Sequence, residues 1–278
     1  MTDLSLEYAL LRAIRIARSA APIALRYFRS EHLDVVEKPD EQGPVTVADK
    51  AMDAFLREQL GATFPADAII SEEHEARRHA ARTWYVDPID GTQSFVDGSG
   101  DFSVMIALFA EGELQLGVVH RPYTAQTFFA QRGVAAFLFE GDAEPSDAEL
   151  WSAPRLRVSE RRGAQSRAIM SASHPCVRCD AFFDQLGVAE RRTMGSMGSK
   201  ICEIARGASD IYLNLSGKPS LWDVAAGELI LREAGGHLLN QWGEAVDYGR
   251  EQTLLGVGVL ACNDALRDDA LLLLREFA

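Results

Sequence analysis

The sequence predicts a layered α/β sandwich, and three observations lead to that prediction. An amphipathic helical segment occupies residues 5–29, and a strand-rich stretch follows at residues 102–139. In the second half of the chain, short apolar strands alternate with helical segments. Because a helix and a sheet each bury an apolar face against another element, this alternation favours helix and sheet layers in both halves.

The first half begins with helical patterning. Leu6, Leu10, Ile14 and Ala17 recur at the spacing of one helix face, and a second helix is predicted to begin near Asp49. Apolar runs with strand-like composition come next, two of them separated by a Glu-Gly turn. The predicted strands of this half lie in residues 68–73, 82–87, 102–120 and 125–139.

The second half reads as alternating strands and helices after a polar stretch. Residues 140–155 are polar and contain two prolines, which is typical of a boundary between structural units. We therefore expect one unit at residues 1–145 and another at 146–278. The predicted strands lie in residues 166–173, 210–216, 236–240 and 256–262, and the predicted helices near 177–186, 197–206, 221–234 and 263–276.

Composition and charge narrow the class of protein. The chain has 278 residues and a net charge of −13, so we do not expect it to bind a nucleic-acid polymer or an anionic membrane. The first 20 residues are charged throughout and do not resemble a signal peptide, so a cytoplasmic location is expected. The four cysteines are too few for a disulfide scaffold, and we expect them to be reduced.

Acidic residues stand where predicted strands and loops meet helix starts. Asp87 and Asp90 lie three residues apart in VDPIDGTQSF, and Asp49, Glu72 and Asp223 occupy comparable positions. Each has a local explanation. Asp87 could cap a helix that starts at the following proline, with Asp90 in its first turn. Asp49 could be a first-turn acid, and Asp223 could belong to a capping box in SLWD.

A metal site is the alternative explanation for the whole set. Several carboxylates buried together would repel one another unless a cation lies between them. Oxygen ligands without histidine or cysteine select Mg²⁺, Mn²⁺ or Ca²⁺ over zinc. Gly91 and Thr92, at a predicted helix start, add N–H donors and a hydroxyl suited to a phosphate group. This chemistry corresponds to hydrolysis of a phosphate ester.

Four ordered motifs resemble those of the inositol monophosphatase superfamily. DPIDGTQSF and WDVAAGELILREAGG are similar to its two signatures, and GPVTVADKAMDAFL and IISEEHE match the motifs expected upstream. The resemblance covers roughly residues 38–240. It implies a layered αβαβα sandwich and a Mg²⁺-dependent phosphatase that is lithium-sensitive and homodimeric.

The resemblance also implies a role for individual residues. Glu72 would bind metal and orient the attacking water, and Thr92 would help to activate that water with Asp49 as its acidic partner. Lys38 would stand near a metal-binding loop. Two or three Mg²⁺ ions are implied, with Mn²⁺ able to substitute and Li⁺ and Ca²⁺ inhibitory. The implied metal ligands are Glu72, Asp87, the Ile89 carbonyl, Asp90 and Asp223, and the implied substrate-binding residues are Asp90, Gly91, Thr92, Gly195, Ser196, Lys200 and Asp223.

The substrate is expected to be a small phosphorylated metabolite. Inositol monophosphatases usually carry an acid seven residues before the second-signature aspartate, and this chain has Ser216 there. The segment around Lys200 is closer to the 3′(2′),5′-bisphosphate nucleotidase branch, in which that lysine would contact the second phosphate. Gln93 and Ser94 depart from both branches. Inositol monophosphatase, histidinol-phosphate phosphatase and a catalytically silent relative are the alternatives.

Overall fold

The structure, a computed structural model, describes residues 5–30, 33, 35–37, 44–74 and 80–277. Lys38, which the resemblance places near a metal-binding loop, lies outside the described residues.

Helices and strands alternate in the order expected of an α/β protein. The helices are α1 (Leu6–Tyr27), α2 (Val47–Thr63), α3 (Thr92–Val96), α4 (Asp147–Ser152), α5 (Val177–Gln185), α6 (Met197–Ala205), α7 (Leu221–Glu233) and α8 (Arg267–Leu274). The strands are β1 (Val35–Glu37), β2 (Pro44–Thr46), β3 (Ala68–Ser71), β4 (Arg82–Asp90), β5 (Ser103–Ala110), β6 (Glu113–Arg121), β7 (Gln126–Gln131), β8 (Ala135–Glu140), β9 (Arg167–Ser171), β10 (Glu190–Met194), β11 (Ile211–Asn214), β12 (Gly236–Asn240) and β13 (Val259–Asn263).

Two large sheets organise the described part of the chain. The first has the order β3-β4-β5-β6-β7-β8; β3 and β4 are parallel, and the other neighbours are antiparallel. The second has the order β10-β9-β11-β13-β12 and mixes parallel and antiparallel pairs. Strands β1 and β2 form a separate antiparallel pair beside α2.

Three apolar cores separate these sheets from the helices and give five layers. Because alternate strand residues point to opposite faces, β5 contributes to two cores. Val104, Ile106 and Leu108 pack with α1 and α2, whereas Met105 and Ala107 pack with α6 and α7. The other face of the second sheet packs against α5 and α8. The predicted αβαβα sandwich is therefore confirmed.

Four of these elements were not predicted from the sequence. Strand Glu190–Met194 is polar and lies at a sheet edge, so it carries little of the apolar signal used to find strands. The β1–β2 pair is short, and helix Asp147–Ser152 forms inside the polar boundary stretch through a Ser146–Glu149 capping box. The division of the chain at residue 145 stays a prediction.

The expectation that all cysteines are reduced is wrong for one pair. Cys176 and Cys179 form a disulfide, with their Cα atoms 5.2 Å apart. Cys176 is the N-cap of α5, and one helical turn brings Cys179 close to it. The buried Cys202 and Cys262 are free thiols.

In the described ranges, none of the helices is both long enough and apolar enough to cross a membrane.

A buried glutamate links α7 to the segment between β12 and β13. The Tyr248 hydroxyl donates to Glu228, and the Tyr85 hydroxyl of β4 donates to the Tyr248 carbonyl. Burial is the main cause that raises the pKa of Glu228 to about 7, while the hydroxyl of Tyr248 and the charge of Arg232 act in the opposite direction.

We expect Glu228→Gln to reduce the pH dependence of stability. Folding raises the pKa of Glu228 from 4.5 to about 7, so this residue stabilises the wild type fully below pH 4.5 and loses that effect as the pH rises to about 7. The free energy of unfolding of the variant relative to wild type should therefore increase across this window, by at most about 3 kcal/mol. Urea unfolding between pH 4.5 and 8 measures it.

Tyr248→Phe is the companion variant. Without the hydroxyl that stabilises the ionised form, the pKa of Glu228 should rise further and the loss of stability should extend to higher pH. Parallel stability curves for wild type and Glu228→Gln would contradict the assignment.

Candidate active site

The two aspartates of the DPID motif lie at the end of a strand. Both Asp87 and Asp90 belong to β4, so the reading of Asp87 as a helix cap and Asp90 as a first-turn acid is wrong. Residues three apart in a regular strand point to opposite faces. The pairing of β4 with β5 shifts in register between these two aspartates. The shift interrupts the regular alternation of side chains between the two faces of the sheet, and both aspartates are buried.

Gly91 makes the turn from this strand into α3 possible. It is the N-cap of α3 and has a φ of +92°, which favours glycine. A Cβ atom there would lie 2.8 Å from both the Asp101 carbonyl oxygen and the Ser196 nitrogen. The turn therefore requires glycine for conformation and for close packing against the second half of the chain.

Four carboxylates come together from separate segments. Glu72 follows β3, Asp87 and Asp90 end β4, and Asp223 lies in the first turn of α7. Burial, and then the negative charges of Glu72, Asp90 and Asp223, raises the pKa of Asp87 well above its usual range. Burial and the charge of Glu72 are the main causes that raise the pKa of Asp223. The sequence-predicted acidic set is therefore close together in the fold.

Asp90 accepts hydrogen bonds from the start of α6. Its Oδ1 accepts from the Met197 nitrogen at 2.8 Å, and its Oδ2 accepts from the Gly198 nitrogen at 2.7 Å and from the Ser196 hydroxyl. Asp90 therefore connects the first sheet to the helix that carries Lys200.

Asp49 and Thr92 form a second polar group beside the carboxylates. Asp49 Oδ2 accepts from the Thr46 nitrogen at 2.8 Å, which completes a capping box at the start of α2. Its Oδ1 lies 3.2 Å from the Thr92 hydroxyl, which is also 3.1 Å from the Ile89 carbonyl oxygen. Asp49 is therefore a helix-capping acid and also a hydrogen-bond partner for Thr92.

Asp223 combines a local role with membership of the acidic set. Its Oδ2 accepts from the Ser220 nitrogen at 2.6 Å, as the capping-box interpretation predicts. The N-terminus of α7 carries the positive end of the helix dipole, which favours a carboxylate there.

The acidic set has the chemistry of a Mg²⁺ site. Asp87 Oδ1 is buried, and nothing in the described residues donates a hydrogen bond to it. A buried carboxylate oxygen without a donor is an available ligand for a hard cation. In the described ranges, no three His, Cys, Asp or Glu side chains already stand in a metal-binding arrangement, so binding a cation would require these acids to move closer together. Two of the acids already accept hydrogen bonds: Asp90 from the N–H groups at the start of α6, and Asp223 from the Ser220 nitrogen.

Lys200 is a buried cation on the side of the second sheet. Its Nζ lies 3.4 Å from the Met194 carbonyl oxygen and 5.1 Å from the centre of the Tyr212 ring. Burial lowers the pKa of Lys200 to about 8, although the charges of Asp90, Asp101 and Asp223 act in the opposite direction.

His174 is near this lysine and was not predicted from the sequence. Partial burial of its ring, and then the positive charges of Lys200 and Lys218, lowers its pKa. It belongs to the loop between β9 and α5, and only the tertiary structure brings that loop to Lys200. Ser216, where an acid would favour inositol, is exposed and donates to Asn214.

Gly195 and Ser196 lie where α6 meets α3. A Cβ atom on Gly195 would be 1.9 Å from the Ser94 hydroxyl oxygen, and the Gly195 nitrogen is 3.4 Å from Asp101 Oδ2. Ser94, which departs from the family pattern, therefore packs directly against a residue predicted to bind substrate.

Comparisons with known proteins point to one family. The model of the inositol monophosphatase family matches residues 6–276. The chain is 31% identical over 249 residues to the 3′(2′),5′-bisphosphate nucleotidase CysQ of Escherichia coli K12, covering 88% of this chain and 95% of that protein. It is 32% identical over 269 residues to the histidinol-phosphatase of Mycobacterium tuberculosis, covering 94% and 96%.

Solved structures show the same fold. CysQ from Bacteroides thetaiotaomicron superposes with a TM-score of 0.79 at 26% identity, covering 94% of this chain and 99% of that one. The Thermotoga maritima IMPase also has a TM-score of 0.79, at 24% identity and 95% coverage of both chains, and supports the fold alone.

We expect Asp87→Asn to stabilise the protein in EDTA. The raised pKa of Asp87 means that folding must either protonate this carboxyl group or bury its charge beside other acids. Asparagine avoids both costs, so the free energy of unfolding should rise by about 1–3 kcal/mol. The stabilisation that Mg²⁺ gives to the wild type should largely disappear. Thermal unfolding with Mg²⁺ and with EDTA measures both effects.

Asp210→Asn is the matched control. Asp210 is also buried, but it accepts from Arg161 at 2.9 Å, so its replacement leaves that arginine without its charged partner. This variant should be less stable in both conditions and should keep the response to Mg²⁺. An unchanged Mg²⁺ response in Asp87→Asn would contradict the metal assignment.

Proposed function

The chain belongs to the inositol monophosphatase family and is a phosphatase, and we propose that its substrate is a 3′(2′),5′-bisphosphate nucleotide such as 3′-phosphoadenosine 5′-phosphate. The observation that carries the proposal is the buried Lys200 beside the acidic set. A second phosphate on the substrate would give this cation a partner of opposite charge. The similarity to two CysQ proteins supports the same choice.

Mg²⁺ ions would be held by Glu72, Asp87, the Ile89 carbonyl, Asp90 and Asp223. When bound, they would neutralise charge on the transferring phosphoryl group and on the leaving oxygen. Two or three ions, replacement by Mn²⁺ and inhibition by Li⁺ or Ca²⁺ remain predictions from the family resemblance.

The chain's own residues would position the attacking water. Thr92 can donate its single proton to Asp49, which leaves its oxygen free to accept a hydrogen bond from water. Glu72 would take the proton that the water loses. The water oxygen would then form a bond to phosphorus as the bond between phosphorus and the ester oxygen breaks. The leaving oxygen would take a proton from solvent water, which gives the alcohol and inorganic phosphate.

The phosphate groups would be held on both sides of the acidic set. The N–H groups of Gly91 and Thr92 at the start of α3 would contact the phosphate that is hydrolysed, and Lys200 the one that is retained. Gly195 and Ser196 would lie beside the alcohol part of the substrate. His174, close to Lys200, would add a donor to the retained phosphate.

Histidinol phosphate is the second candidate substrate. The histidinol-phosphatase of Mycobacterium tuberculosis is as similar to this chain as the nucleotidases are. Inositol phosphate is less favoured because Ser216 replaces the expected acid. A homodimer and a cytoplasmic location stay predictions from the sequence.

Phosphate release from a substrate panel tests the proposal. The panel contains 3′-phosphoadenosine 5′-phosphate, histidinol phosphate, myo-inositol 1-phosphate and fructose 1,6-bisphosphate, each with Mg²⁺ and with EDTA. We expect the highest kcat/KM for the bisphosphate nucleotide and no release in EDTA. A higher kcat/KM for histidinol phosphate would contradict the proposed substrate while keeping the phosphatase assignment.

Lys200→Ala should affect substrates unequally. Loss of a charged hydrogen bond to the retained phosphate should raise KM for the bisphosphate nucleotide about 10- to 100-fold. Adenosine 3′-monophosphate, which lacks that phosphate, should change less than about threefold. Steady-state kinetics on both substrates measures the difference.

Lys50→Ala, which removes an exposed lysine on α2, is the matched control and should leave both KM values unchanged. Equal losses on the two substrates in Lys200→Ala would show that Lys200 does not contact the second phosphate.

A further inference from the structure

Ser103 is a fully buried serine that directly faces Asp90. It is the first residue of β5, and the strand pairing places it opposite Asp90 after the shift in register. Its hydroxyl oxygen lies 3.3 Å from Asp90 Oδ2 and 2.9 Å from the Ser196 hydroxyl oxygen. The Ser103 side chain therefore contacts both Asp90, at the end of β4, and Ser196, the N-cap of α6.

Each serine has one hydroxyl proton, and this determines which group donates in each of these hydrogen bonds. Ser196 has one hydroxyl proton, and its shortest contact is with Asp90 Oδ2. If Ser196 donates to Asp90, the 2.9 Å contact between the two hydroxyls must use the proton of Ser103. The Ser103 hydroxyl then donates to Ser196, and Ser196 donates to Asp90. Ser196 also accepts from the Ser199 nitrogen at 2.9 Å.

Ser196 needs such support because its backbone conformation is unfavourable. Its φ is +54°, in the left-handed region that favours glycine and that strains a residue with a side chain. The backbone of Ser196 is also closely packed, since a Cβ atom on Gly91 would be 2.8 Å from the Ser196 nitrogen. Hydrogen bonds to the Ser196 hydroxyl therefore hold the start of α6 in a conformation that it would not adopt alone.

We propose that Ser103 is a positioning residue, which acts through Ser196 and Asp90 to fix the start of α6 beside the acidic set. It does not touch the substrate. It sets the place of the Gly195–Ser196 segment, against which the alcohol part of the substrate would lie. The consequence for catalysis rests on the proposed function, but the effect on the α6 backbone does not.

Kinetics of a double-mutant cycle test the positioning role. Ser103→Ala should raise KM for 3′-phosphoadenosine 5′-phosphate by up to about tenfold, the loss expected for one neutral hydrogen bond, with kcat changed less than threefold. Because Ser103 acts through Ser196, the double variant Ser103→Ala, Ser196→Ala should have the same KM as Ser196→Ala. Independent, multiplicative losses would overturn the proposal.

Ser166→Ala is the matched control. Ser166 is also a fully buried serine, and its hydroxyl donates to the Gly163 carbonyl, away from the acidic set. This variant should lower the melting temperature without changing KM. If Ser103→Ala behaves in the same way, its role is structural and the positioning role is wrong.

Hydrogen exchange measured in EDTA tests the positioning role of Ser103 without substrate or metal. In Ser103→Ala, the amides of Met197, Gly198 and Ser199 should exchange about tenfold faster than in wild type. Their acceptors, Asp90 for the first two and the Ser196 hydroxyl for the third, would be less well held. Amides near Ile230 in α7 should not change. Unchanged exchange at the start of α6 would overturn the proposal.

If the wild type released no phosphate from the panel, the proposed function would fail and the exchange result would still decide the role of Ser103.

Discussion

Mutual repulsion among buried carboxylates is the constraint on which the arrangement of this protein depends. Glu72 follows β3, Asp87 and Asp90 end β4, and Asp223 lies in α7, so the fold brings these acids together from separate segments. Such a group is unfavourable unless helix starts, hydrogen-bond donors or cations offset its charge. The fold directs the N-terminus of α7 and the N–H groups of α6 to these acids. The remaining unsatisfied oxygen, on Asp87, is where added positive charge would have the largest effect.

The same charges join the two halves of the chain. Asp90 belongs to the first sheet but accepts its hydrogen bonds from α6, so the position of that helix depends on a residue of the site. On another side, the buried Glu203 of α6 accepts from Arg121 of β6 at 3.2 Å and from Arg206 at 2.7 Å. Removing either acid would leave buried donors without partners, which makes the interface polar and specific in its geometry.

The residues proposed for catalysis and the residues proposed to select the substrate come from different parts of the chain. The residues proposed to bind metal and water come mainly from the first sheet and the turns after it, whereas Lys200 and the Gly195–Ser196 segment come from α6 and its approach. On this proposal, substitutions around α6 could change the substrate without replacing any of the four carboxylates. Relatives of this chain do include a bisphosphate nucleotidase and a histidinol-phosphatase.

The sequence alone determined the class of fold, most element positions and the set of acids, because strand and helix periodicity and four ordered motifs are local properties. Only the tertiary structure decided how those acids are used. The register shift in β4, the hydrogen bonds from α6 to Asp90 and the electrostatic effect of Lys200 on His174 all depend on how distant segments are arranged in space. Ser103 reads in the sequence as an ordinary residue at the start of an apolar strand. The role proposed for Ser103 can be inferred only from the pairing of β4 with β5, which places it opposite Asp90. A hydrogen bond depends on the positions of two groups in space and not on their spacing along the chain.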